Sequence, residues 1–132
     1  MTYLSSHATV LLLLVFIIIT FLQSGVDKIL DWKGNLSWLK GHFSETPLKN
    51  MVPLLLGIVL VSEMIAAICC GIGLFQILNS GKSPLAFYGA IMACLSLLML
   101  LFGQRIAKDY EGAKTIAIYF IPAIFLVFLL QA

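Results

Sequence analysis

Residues 51–78 read MVPLLLGIVLVSEMIAAICCGIGLFQIL. A run of roughly 20 apolar residues is long enough to cross the ~30 Å hydrocarbon core of a bilayer as a helix. One residue in it carries a charge, Glu63. An ionised carboxylate at membrane depth costs about 2.5–3.5 kcal/mol on insertion scales. It must therefore face other helices or a wet cavity, or keep its proton. Glu63 predicts a bundle with an interior.

The rest of the chain agrees. It has 132 residues, of which 61% are hydrophobic and 11% charged, where soluble domains average about 45–50% and about 25%. Mean hydropathy is +1.08. The expected fold class is all-α: an integral membrane four-helix transmembrane bundle forming a single domain. Its helices fall at about 8–30, 47–78, 84–108 and 112–131, with an interfacial loop at 31–46. A net charge of +2 without any basic run offers nucleic acid no purchase. The cysteines, Cys69, Cys70 and Cys94, lie inside apolar runs without CxxC or Cys/His spacing. They read as small buried hydrophobes, and neither metal nor haem is expected.

The first ten residues, MTYLSSHATV, lack the lysine or arginine of a secretory n-region, so the first run reads as a retained helix. Its apolar part, 8–22, spans only ~22 Å. The helix must continue through Gln23, Ser24, Gly25, Asp27 and Lys28. Ser24, Asp27, Lys28 and Asp31 then share one face: either a solvated helix end with Lys28 snorkelling, or a polar rim over the bundle interior. Segment 32–50 mixes Trp32 and Trp38 with Lys33, Lys40 and Lys49, the composition of a membrane interface. A short helix capped by Asn35 and ended by Gly41 is expected there, lying flat on the membrane. His42 reads as an inert loop histidine. Thr46-Pro47 has the form of a cap and first turn for the second helix, with Pro53 bending it farther on. Ser83-Pro84 opens the third helix, and Pro122 lies within the fourth and should kink it.

Ala66, Ala67 and Cys70 follow Glu63 at i+3, i+4 and i+7. This stripe of small residues suits close helix packing in lipid. Seven of the eight Lys/Arg residues flank the first and third connections; only Lys82 is on the other side. The positive-inside rule puts those connections, loops 31–46 and 105–112, in the cytoplasm and both termini outside. A Lys28–Glu63 pair faces a geometric obstacle: Glu63 is 12 residues past Met51, or ~18 Å along a helix, while Lys28 is near the exit of the first helix. Ser24 or a water is the expected partner, unless the first helix sits deeper or the second begins well outside the membrane.

Nucleophile elbow, HExxH, P-loop and dinucleotide patterns are absent, so no catalytic residue is assigned. The stretch Ser24-Gly25-Val26-Asp27-Lys28-Ile29 resembles the S-G-x-x-K element of the DoxX family. Glu63, followed by small residues and Gly71/Gly73, is similar to that family's glutamate and glycine-rich stretch; here the latter is Ala-Ala-Ile-Cys-Cys-Gly-Ile-Gly, a partial match. The resemblance implies a four-helix protein of a bacterial inner membrane. It directs attention to Gly25, Lys28 and Glu63. It also implies an accessory subunit of a membrane oxidoreductase or other membrane complex, near a quinone or lipid site, with membrane lipid and other membrane subunits (or a second copy) as partners. Two other readings stand beside it: a non-enzymatic assembly factor that binds other membrane helices, and a small carrier using Glu63 as a proton relay.

Overall fold

The computed structural model describes residues 5–131. In chain order the helices are α1 (Ala8–Leu30), α2 (Trp32–His42), α3 (Val52–Ser80), α4 (Pro84–Ile106) and α5 (Tyr110–Gln131), with no strand among the described residues. All but α2 are long and apolar enough to span a membrane. The protein is an all-α integral membrane bundle. Its chain crosses four times, so the two outer ends of α1 and α5 share a side.

Helix α3 packs on both α1 and α4; α4 packs on α5, and α5 closes back on α1 through a smaller contact. That closure includes Phe16 and Tyr119, with ring centroids 6.2 Å apart. The core is apolar and fine-grained: Leu14, Ile17 and Phe21 from α1, Ala66, Ala67 and Cys70 from α3, Ala86, Ala90 and Ala93 from α4, and Ala123 and Leu126 from α5. With lipid tails outside as apolar as the core inside, close packing rather than the hydrophobic effect joins such helices. Within the chain itself, Cys70 of the Ala66–Ala67–Cys70 stripe packs closely on Gly89 of α4. At Gly73 a Cβ would lie 2.6 Å from Ala86 Cβ and 2.7 Å from its backbone nitrogen, so only glycine permits this approach.

Several expected boundaries move. The second long helix begins at Val52, not at Thr46-Pro47. Thr46 instead organises a turn, its hydroxyl donating to the Phe43 carbonyl (2.9 Å) and accepting from the Leu48 N–H (3.2 Å). Pro53 therefore falls in the first turn of α3, where its missing N–H costs nothing, and it does not bend the helix. Segment 31–46 is helical earlier than expected: Asp31, not Asn35, caps α2, accepting from the Gly34 N–H at 3.3 Å. Asn35 lies inside the helix, donating to the Asp31 carbonyl at 2.9 Å, and α2 runs past Gly41 to His42. Ser83 caps α4 as expected, accepting from the Ala86 N–H at 3.0 Å. Helix α5 runs unbroken through Pro122.

Helix α4 ends at Ile106, two residues earlier than expected, in a Schellman turn. The Asp109 N–H reaches the Gln104 carbonyl (2.9 Å) and the Lys108 N–H the Arg105 carbonyl (3.1 Å). This geometry needs a left-handed residue, a place glycine usually fills; here Lys108 holds it, with φ 58°. A left-handed L-residue costs about 1–2 kcal/mol, partly offset by the flexibility glycine adds to the unfolded chain. Lys108→Gly is expected to stabilise the protein by roughly 0.5–1 kcal/mol. Unfolding in bicelles checks it, and a less stable variant would contradict it.

Candidate functional site

Register explains where the polar residues meet. Gly73 faces Ala86 and Ser62 faces Ser96, so the start of α3 is level with the end of α4. Gly25 of α1 instead packs on Met64 and Leu60. Helix α1 runs five residues past Gly25 and therefore ends level with about Gly57, and the first turn and a half of α3 continues ~7 Å beyond it. The chain turns at Asp31, and α2 occupies the recess.

This register removes the obstacle to a Lys28–Glu63 pair. The Lys28 ammonium lies 3.0 Å from Glu63 Oε1 and donates a hydrogen bond to Ser24 Oγ at 2.7 Å. The sequence-level distance assumed that the first helix ends level with Met51; it ends a full recess deeper, so Ser24 and Glu63 both hold the ammonium. Glu63 is only 3% exposed. Among the described residues its Oε1 accepts no well-aligned hydrogen bond, although the cation is beside it. A Cβ on Gly25 would collide with Met64 Sδ. At this level α1 lies against α3, and Lys28 reaches Glu63.

Of the face Ser24, Asp27, Lys28 and Asp31, two members join this cluster. Asp27 is exposed and Asp31 caps α2. The hydroxyl neighbours were not singled out in the sequence. Ser62 donates to the Val59 carbonyl at 2.8 Å and accepts from Ser96 Oγ at 2.8 Å. Ser96 is wholly buried. Their only signal was a hydroxyl inside each of two apolar runs, one of them adjacent to Glu63.

Lys28 and Ser62 also line an open, apolar cavity of about 1230 Å³ between α2, the first turns of α3 and the second half of α4. That exceeds the roughly 300–1,000 Å³ usual for small-molecule sites. Its walls include Leu39, Phe43, Leu55, Met92 and Met99, and its other polar lining comes from Asn35 and Gln104. His42 is not an exposed loop residue. Its ring stacks on Trp38 (centroids 4.6 Å apart). Its Nε2 is 2.9 Å from Gln104 Oε1 and 3.6 Å from Asp109 Oδ2. The Trp38-x-x-x-His42 spacing, one helical turn, was the available clue. Among the described residues no group of three His, Cys, Asp or Glu is placed to hold a metal ion.

Searches against protein-family models, curated proteins and solved structures return no match for this chain.

Proposed function

We propose that this chain is a DoxX-like accessory subunit of a bacterial inner-membrane oxidoreductase, holding a neutral amphiphile, a quinone or lipid, in the cavity beneath α2. The single observation that carries the reading is that Lys28, paired behind the wall with Glu63, lines an apolar cavity open to the surroundings. The pair presents N–H donors but little net charge. It suits an uncharged hydrogen-bond acceptor, such as a carbonyl, better than a phosphate. A hydrocarbon tail fits the apolar walls. A bound quinone would supply two-electron, two-proton chemistry; the chain's own part is to bind, orient and shield the head. On this reading loops 31–46 and 105–112 face the cytoplasm, where Lys33, Lys40, Lys49, Arg105, Lys108 and Lys114 gather, and both termini face outward.

A second reading keeps one observation of its own. Helix α5 is the least buried of the four spans, and its Ile121, Phe125 and Phe128 are exposed. A non-enzymatic assembly factor would dock another membrane helix there. The small-residue stripe of α3 is already buried within the chain itself.

Native mass spectra of the protein extracted from its own membranes in mild detergent separate the readings. A retained quinone mass or a bound redox subunit, both lost in Lys28→Met, is the expected outcome. A bare monomer or dimer carrying only phospholipid would overturn the redox reading.

A further inference from the structure

Helix α2 contributes a wall to the cavity while burying none of its own residues. Its half-buried positions, Trp32, Asn35, Leu36, Leu39 and His42, recur at helical spacing and turn one face inward. Among the described residues α2 packs, as a helix, only on α1 and α3. It reaches Gln104 of α4 and Asp109, the residue before α5, through side chains alone. The chain on either side is built to bend: Asp31 breaks the helical path from α1 with φ −130° and ψ 51°, and residues 43–51 form successive turns.

The far end of α2 is held by a small cluster. His42 Nε2 meets Gln104 Oε1 and stands near Asp109 Oδ2. Asp109 is oriented by the Gly112 N–H, which donates to its Oδ1 at 3.0 Å. Phe43 stands edge-on to His42, centroids 5.0 Å apart, close to Gly103. An element with little burial, pinned at one end by side-chain hydrogen bonds, belongs to the low-stability part of a structure and opens locally.

We infer that α2 is a lid over the cavity, latched to the α4–α5 corner by His42, and that releasing this latch admits the amphiphile to Lys28. The inference rests on the reading of the cavity as an amphiphile site, but the lid motion is measurable without any ligand.

The test is hydrogen exchange by mass spectrometry on the full chain in nanodiscs, comparing the protein with His42→Ala, His42→Gln and Gln104→Ala. Loss of one neutral hydrogen bond shifts a local equilibrium by about tenfold. Exchange across residues 32–42 is therefore expected to quicken about tenfold in His42→Ala and Gln104→Ala, with α1, α3, α4 and α5 unchanged. His42→Gln, which keeps a donor, should fall closer to the parent. Unchanged exchange in α2 overturns the lid, as does an equal rise in every helix, because His42 would then be part of the common core. A short-chain quinone carrying a photoreactive tag is the ligand probe. With the lid present, it should dissociate faster from His42→Ala. Labelling of Leu55 or Met99 peptides by that tag tests the cavity separately: faster α2 exchange without labelling overturns the amphiphile reading and leaves the lid, whereas labelling with unchanged α2 exchange does the reverse.

Discussion

Lys28→Met is expected to destabilise the bundle by about 3–5 kcal/mol, the usual result of removing one partner from a buried ion pair. The variant leaves Glu63, 3% exposed, without its cation at membrane depth. Glu63→Gln should cost less. Its amide is uncharged, and Lys28 retains the hydrogen bond to Ser24 together with a long stem able to lift the ammonium toward the aqueous end. The double variant Lys28→Met/Glu63→Met replaces the pair by apolar groups, a change that is often neutral or stabilising. It should therefore recover most of the stability lost in Lys28→Met and still fail to retain a quinone. Reversible unfolding in bicelles, read as a double-mutant cycle, gives the coupling between the two residues. Additive effects, with no recovery in the double variant, would show that the two side chains do not act as a pair in the membrane.

The second large effect is expected two residues apart on one helix. Gly73→Ala introduces a Cβ 2.6 Å from Ala86 Cβ and 2.7 Å from the Ala86 backbone nitrogen and Cα. Backbone atoms of a packed helix cannot rotate aside, so α3 and α4 must separate along their shared seam. Overpacking costs typically about 1–3 kcal/mol, occasionally more. The immobility of the obstacle puts this site at the upper end. At Gly71 a Cβ meets nothing within 4 Å, and alanine is the better helix former by about 1 kcal/mol. Gly71→Ala is expected to be neutral or mildly stabilising. Measuring both in the same bicelles controls for composition. Equal responses would mean that the α3–α4 seam is looser than the close Gly73–Ala86 approach requires.

Both effects depend on register, which is where the sequence stopped being informative. The four spans were legible because each apolar run nearly matches the thickness of a bilayer. The Ser83 cap was legible because a hydroxyl followed by proline has few other uses. Boundaries at the polar end were not. Thr46-Pro47 has the composition of a helix start, yet Thr46 closes a turn on Phe43 and leaves Pro53 to open α3. Asn35 has the composition of a cap, but α1 stops at Asp31, whose carboxylate takes the role. In both cases the local signal was real, and its competitor lay a few residues away with an equally good one.

The four apolar runs alone require a four-span membrane protein. Hydrocarbon admits no unsatisfied backbone, and only long apolar helices meet that condition within one segment. The solvation cost of a carboxylate at that depth also required Glu63 to leave the lipid face or to keep its proton. Tertiary structure decided what Glu63 meets. The axial position of α1 relative to α3 carries Lys28 to 3.0 Å from the carboxylate. The same axial position opens the recess that α2 fills, brings His42 across to Gln104 and Asp109, and creates the cavity. Helical periodicity specifies which residues share a face but not how far one helix slides along another; that is fixed only by packing side chains of particular size against each other.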